Sequence, residues 1–257
     1  MSEAELSFDL PGGGHALFTT RAHGNLSSVG GAGAEHGFEA RERLREQVGV
    51  RQLARGYQVH GTRVQRVGAG AERGAGYEVA GTETDTDAQP DVDADGQVTA
   101  ASGVGVLVLT ADCLPVALGA RGAVAMIHAG WRGLAAGVLE EGVAALRDLG
   151  GAPTAQDSEI VAVIGPGAGL CCYEVGEEVH AAFGGAHRIG VPRIGVPPTR
   201  VPPTHIDLKA IARDRLLAAG VTDVRDVALC TICDERFFSH RREGALAGRQ
   251  GGVAWLD

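Results

Sequence analysis

Cys113 closes the apolar run VGVLVLTADC (104–113), and His128 closes the next one, AVAMIH (123–128). A thiol and an imidazole brought to one point can share a metal ion or form a thiolate–imidazolium pair for nucleophilic attack. Between them stands Gly119-Ala120-Arg121-Gly122, and glycines supply the positive φ angles that tight hairpin turns require. A hairpin centred on Ala120-Arg121 pairs Gly119 with Gly122 and, in the same register, Cys113 with His128. Directly opposed residues have Cβ atoms about 4.5–5.5 Å apart, close enough for both side chains to reach one Zn2+. A free cysteine is otherwise a small core residue. Here Asp112 and Pro115 flank it, and His128 is followed by Ala-Gly-Trp-Arg-Gly, so both residues are expected at a sheet edge.

A third ligand stands at His60, in QVHG (58–61), at the end of a stretch of alternating apolar residues. Alone it would be a structural histidine; with the other two it completes a His2Cys set. Three protein ligands leave the fourth position of a tetrahedral zinc open to water or substrate. There the ion polarises a substrate oxygen or makes a nucleophile of water near neutral pH. The same set is the trigonal frame of blue copper, with Met126 two residues before His128 on the same strand face. Against a multicopper oxidase, no two of the nine histidines form an H-x-H pair.

Other candidates are weaker alone. Arg21, at the end of a strand, is a candidate catalytic anion or substrate contact, or simply a solvated arginine. Gly165-Pro166-Gly167 could turn backbone N–H groups toward a phosphate, or be only a turn. Cys171, Phe238, His240 and Arg249 are candidate substrate contacts, with the aromatic face against a base. Adjacent cysteines such as Cys171-Cys172 seldom share a metal, and Cys230-x-x-Cys233 has no second CxxC to partner it. Both pairs read as packed thiols.

The elements that must position these groups alternate irregularly. HALFTTR (15–21) reads as a strand, and 22–37 as a Gly/Ser loop. FEARERLREQVGV (38–50) has Phe38, Leu44 and Val48 at helical spacing. GYQVHGTRVQRV (56–67) alternates toward a strand, and the acidic stretch 81–96 reads as a solvated loop. Residues 104–118 and 123–130 are the most strand-like, 133–150 is a helix with Leu134, Val138, Val143 and Leu146 on one side, and IVAVIGPGAG (160–169) is another buried strand running into a Gly/Pro turn. Helices follow over 174–183 and 206–221, a strand over 226–230, and a terminal strand ends the chain. RIGVP occurs twice in tandem over 188–197, within a Pro-rich irregular loop spanning 184–205. No linker divides the chain, so 1–257 is expected to be one α+β domain with mixed β-sheets packed against helices.

Composition excludes several classes. The formal charge is -9, and no Lys/Arg run is present. A nucleic acid polymer or an anionic membrane is therefore not an expected partner, since both need a basic face. No apolar stretch approaches a bilayer span, and the N-terminus lacks a signal-peptide h-region. Five cysteines, an odd number, suggest reduced thiols. The expected location is cytoplasmic, and the oligomeric state, monomer or homodimer, stays open.

Several long motifs in order resemble the YfiH-like family, also called laccase-domain or multicopper polyphenol oxidase proteins and purine nucleoside phosphorylases. They are FTTR (18–21), QVHGTRV (58–64), DGQVT (95–99), LTADCLPV (109–116), IHAGWRG (127–133), IGPGAGLCCYEVGEEV (164–179) and CTICDERFFSHRREGALAGRQGGVAWL (230–256). The resemblance implies a single α+β domain of the cysteine-hydrolase-like YfiH fold, with zinc held by His60, Cys113 and His128. It implies an enzyme that takes purine nucleoside and phosphate, phosphorolyses adenosine, inosine or methylthioadenosine, and deaminates adenosine. The usual zinc deaminase signature, H-x-E followed by P-C-x-x-C, is absent. Three alternatives stay open: a copper-dependent, laccase-like polyphenol oxidase; a hydrolase that edits amino acids in peptidoglycan precursors; and a metal-binding scaffold without turnover.

Overall fold

A computed structural model describes residues 6–68, 92–149, 159–185, 188–189 and 204–257. The chain begins with β1 (Ser7–Leu10), β2 (Gly14–Phe18), α1 (Gly37–Val48), β3 (Gln52–Ala54) and β4 (Val64–Val67). Then come β5 (Gly96–Thr99), β6 (Val104–Thr110), β7 (Leu114–Ala120), β8 (Ala123–Ala129), α2 (Trp131–Ala136) and α3 (Val138–Leu149). The last third holds β9 (Val161–Ile164), α4 (Glu177–Ala182), β10 (Arg188–Ile189), β11 (His205–Ile206) and α5 (Leu208–Ala218). It closes with β12 (Asp223–Asp226), α6 (His240–Glu243) and β13 (Gln250–Leu256).

Two mixed sheets result, one ordered β1-β2-β13-β6-β3 and the other β12-β9-β7-β8-β5-β4. Alternation along β7 and β8 explains how the second sheet is buried on both sides. Leu114, Val116, Leu118, Ala125 and Ile127 pack toward α3 and α5, while Ala117, Val124 and Met126 face the first sheet with Phe18, Val106 and Ala254. Strands with two covered faces read as continuous apolar runs. Leu44 of α1 covers the far face of the first sheet, against Leu53 and Leu107. The layers are therefore helix, sheet, sheet, helices: the expected α+β arrangement of mixed sheets packed against helices.

The apolar run 104–118 holds two strands in different sheets. β6 belongs to the first sheet and β7 to the second, and Ala111-Asp112-Cys113 carries the chain across. Asp112 takes a φ of 90° at this crossing, a rare conformation for a side-chain-bearing residue. Cys113 lies at this corner between sheets.

The expected hairpin exists in a different register. Its turn is Arg121-Gly122, with Gly122 at φ 79°, and Ala120 pairs with Ala123. Consequently Pro115, not Cys113, lies opposite His128. Apolar patterning fixes which face a residue takes, but both registers keep the same faces inward, so it could not choose between them.

Other boundaries shift as well. Residues 56–63 are not a strand; β4 starts only at Val64, and His60 sits in the intervening loop. The helix read over 133–150 is broken at Gly137, whose φ is 103°, into α2 and α3. Its predicted face is buried as expected, at Leu134, Val138, Val143 and Leu146. The strand near 226–230 lies earlier, at β12, where it pairs in parallel with β9. Within 184–205, Arg188–Ile189 pairs with His205–Ile206; residues 186–187 and 190–203, with most of the tandem repeat, lie outside the described residues. Among the described residues, no helix is long and apolar enough to cross a membrane.

Candidate active site and metal centre

Cys113 arrives from the crossing between the sheets, His128 from the end of β8, and His60 from the loop before β4. Their ligand atoms all lie within 4.8 Å of one another. The Cys113 Sγ is 3.8 Å from His60 Nε2, and the two imidazole rings meet edge to face with centroids 4.8 Å apart. His128 is buried and His60 exposed, with Cys113 between them. The trio is thus walled on one side and open on the other.

What holds the trio is Asp95, which the sequence reading left in a solvated acidic stretch. Residues 81–91 of that stretch lie outside the described residues, but Asp95, just before β5, is fully buried. Its carboxylate accepts N–H bonds from Val59 (3.2 Å), His60 (2.9 Å) and Gly61 (2.6 Å). One oxygen also lies 2.8 Å from His128 Nδ1. His60 has a φ of 60°, and these amide bonds account for how a non-glycine residue is held there. Burial alone would raise the Asp95 pKa; the hydrogen bond and charge of His128 and the amides of Gly61 and Val59 bring it below the ordinary carboxylate value.

Asp95 also settles which His128 nitrogen faces the trio. With Nδ1 directed to the carboxylate, Nε2 is left for a ligand, the usual arrangement around metal-bound histidine. Burial opposes ionisation of Cys113, but the positive charge and hydrogen bond of His128, helped by His60, bring its pKa down to about 6. Burial likewise opposes protonation of His128, and the Cys113 thiolate with Asp95 raises its pKa to about 9. A thiolate beside two imidazoles, one backed by a carboxylate, is a donor set that fits a divalent ion such as zinc.

Any side chain at Gly130 would crowd the trio. A Cβ at that position would stand 2.6 Å from His60 Cδ2 and 3.1 Å from Cys113 Sγ. Gln58 braces the other side, donating to the Leu109 carbonyl (2.7 Å) and accepting from the Leu109 amide (2.8 Å). It ties the His60 loop to the end of β6.

The trio forms the floor of a cavity of about 480 Å³, within the range of small-molecule sites. Tyr57, Arg55, Thr110, His240 and Arg249 line its walls. His240 and Arg249, both predicted, are there. Tyr57, Arg55 and Asp95 were missed, because nothing in their local pattern marks them; DGQVT was legible only as a motif.

The remaining predicted contacts lie elsewhere. Arg21 donates to the Phe237 carbonyl at 2.9 Å, pairs with Glu243, and stacks 4.4 Å from the Phe238 ring centroid. These partners tie Arg21 into the scaffold, and it does not line the cavity that holds the trio. Phe238 is buried under it, with its backbone bonded to Gln250. The Gly165 amide donates to Pro115 and the Gly167 amide to Leu229, so neither is available to a phosphate. Cys171 lines a separate depression with Lys209 and Asp226. Met126 is fully buried between the sheets.

Comparison with known proteins places this geometry in context. A family model described as "Multi-copper polyphenol oxidoreductase laccase" matches residues 15–257. A Xylella fastidiosa protein named purine nucleoside phosphorylase is 38% identical over 254 residues, covering 96% of this chain and 89% of its own. The structure of Neisseria meningitidis protein NMB0706 superposes with a TM-score of 0.76 at 34% identity, covering 98% of both chains. Bacillus licheniformis YfiH superposes with a TM-score of 0.74 at 26% identity, covering 95% of this chain and 93% of its own.

Proposed function

Since the chain belongs to the multi-copper polyphenol oxidoreductase laccase family, the family of YfiH, we propose that it is a zinc-dependent purine nucleoside enzyme. It phosphorolyses adenosine, inosine or methylthioadenosine and deaminates adenosine. The observation that carries this reading is the open-sided His60, Cys113 and His128 trio on the floor of a cavity of nucleoside size. The names of the relatives supply the substrate class.

His60, Cys113 and His128 would hold the zinc, which would supply a Lewis acid at the cavity they line. The chain's own groups provide the rest. Arg249 is half-buried; burial lowers its pKa, while the negative charges of Cys113 and Asp112 work the other way. Its Nη1 donates to the Ala247 and Gly248 carbonyls, which leaves the Nε and Nη2 side of the guanidinium to bind orthophosphate with two parallel hydrogen bonds. Tyr57, 42% exposed at the rim, offers a ring face to the purine. His240 is exposed and lines the same cavity, where it can deliver a proton to the departing base or to the leaving amine. Asp95 moves no proton to substrate; it keeps His128 in one tautomer and one orientation.

A copper oxidase is the second reading, because the same His2Cys set suits copper. Against it, the other metal-ligating group among the described residues is four cysteines, which are not the histidine ligands of a multicopper cluster. Incubating the purified protein with adenosine and phosphate, and separating the products chromatographically, tests the proposal. Adenine reports phosphorolysis and inosine reports deamination. If neither base nor inosine forms, the proposal fails; an intense blue absorption and phenol-dependent oxygen uptake by copper-loaded protein would favour the oxidase.

A further inference from the structure

β9 and β12 are parallel neighbours, so the segments that follow them leave the sheet side by side. They stay paired beyond the strands: the Gly167 amide donates to Leu229 at 3.3 Å, and the Thr231 amide to Gly167 at 3.0 Å. The first segment carries Cys171 and Cys172, the second Cys230 and Cys233. Two cysteine pairs that are far apart in sequence thereby reach one edge of the molecule.

Their four sulfurs lie within 4.8 Å of one another. Cys233 Sγ is 3.2 Å from that of Cys171 and 2.9 Å from that of Cys172. A disulfide needs about 2.05 Å, and all four are free thiols. The Cys230 sulfur accepts the Gly169 N–H at 3.2 Å and is also met by the amides of Ile232 and Cys233. Amides aimed at a sulfur favour its anionic form, the form that binds metal. A Cβ at residue 169 would come within 2.9 Å of Cys230 Cβ and 3.4 Å of Cys171 Sγ, so glycine is what lets the backbone pass this close. Arg242, paired with Glu243 at 2.7 Å, donates to the carbonyls of Thr231 (2.8 Å) and Ile232 (2.9 Å) and so braces the Cys-x-x-Cys turn.

We propose that Cys171, Cys172, Cys230 and Cys233 bind one zinc ion as a structural cross-link, separate from the trio in the cavity. An all-sulfur set of four selects a soft, tetrahedral ion, and four protein ligands leave no position for a reactant. On binding, each thiol releases its proton to solvent and forms a sulfur–zinc bond; no electrons are transferred. The resulting centre is a dianion at the exposed edge of the molecule.

The cross-link has a consequence for the cavity. Residues 230–242 are also bonded to Asp112, beside Cys113: Thr231 Oγ1 donates to one carboxylate oxygen and the Arg241 amide to the other, each at 2.7 Å. Fixing the cysteine turn therefore fixes the wall that presents His240.

The test is elemental analysis with zinc-edge X-ray absorption on the full-length protein, purified under reducing conditions. Wild type is expected to hold two zinc ions per chain, with about 2.5 sulfurs per zinc, five thiolates shared between two ions. Cys113→Ala is expected to retain one zinc surrounded by four sulfurs. The double variant Cys230→Ser/Cys233→Ser is expected to lose that zinc and to melt at lower temperature. Because the Cys113→Ala sample keeps the cluster intact, the inference can be decided even if the double variant fails to fold. It is overturned if Cys113→Ala binds no zinc, if the cluster takes up iron instead, or if a non-reduced mass shows a disulfide among the four. One zinc with one sulfur in wild type would overturn it while leaving the cavity site standing.

Discussion

Asp95 and His128 are joined twice: carboxylate to ring Nδ1 at 2.8 Å, and Asp95 carbonyl to the His128 amide at 2.6 Å. The same carboxylate collects the amides of Val59, His60 and Gly61. One fully buried side chain therefore places two of the three candidate ligands. Asp95→Ala is expected to weaken zinc binding about 10–100-fold, the usual cost of losing an outer-shell partner. Removing one member of a buried charged network should also cost about 3 kcal/mol or more in stability. Chelator competition and denaturant melts measure the two effects; unchanged zinc affinity would show that the loop holds His60 without it.

In the zinc-free protein, Cys113 should behave as a low-pKa thiol. Its pKa of about 6 means that the thiolate fraction rises as pH rises through that value and is nearly complete by pH 7.5. His128, raised to about 9, stays protonated over the same interval. The iodoacetamide reaction rate at Cys113, followed by peptide mass spectrometry, should therefore have its midpoint near pH 6, not near the ~8.5 of a free cysteine. Zinc should suppress the reaction.

Gly130 adopts φ -71° and ψ 160°, a conformation open to any residue, so Gly130→Ala should not strain the backbone. The added methyl group would instead press on His60 and Cys113. Zinc affinity is expected to fall about tenfold or more, with a circular dichroism spectrum like that of wild type. Full zinc occupancy at wild-type affinity would mean that the His60 loop yields freely.

Arg249 and Arg21 separate substrate binding from scaffolding. Arg249→Gln should raise the KM for phosphate about tenfold or more, the effect of losing one charge-assisted hydrogen bond, and lower the melting temperature only modestly, through the loss of its bonds to the Ala247 and Gly248 carbonyls. Arg21→Gln should do the reverse, since its partners are Phe237, Phe238 and Glu243. Phosphate saturation curves and thermal melts on both variants decide between them.

Much of the site was legible because chemistry-bearing residues interrupt apolar runs. His60, Cys113 and His128 stood out this way, and His240 and Arg249 through the motif that contains them. Asp95 could not stand out, since DVDADG looks like any solvated acidic loop until the fold buries its last aspartate. Gly165 and Gly167 misled for the opposite reason. Their local pattern suits phosphate binding, but partners far along the chain, Pro115 and Leu229, had already taken their N–H groups.

The chain's pattern alone determined the class of fold, the apolar strand character of 104–118 and 123–130 and the identity of the three candidate ligands. Those follow from apolar periodicity and side-chain chemistry, both local properties. Tertiary structure decided the rest: that 104–118 changes sheets at Asp112, that Pro115 and not Cys113 faces His128, that Asp95 is interior, and that two cysteine pairs whose local pattern reads as packed thiols converge. Each depends on contacts between segments tens of residues apart, and local spacing carries no record of which segments the sheets bring side by side.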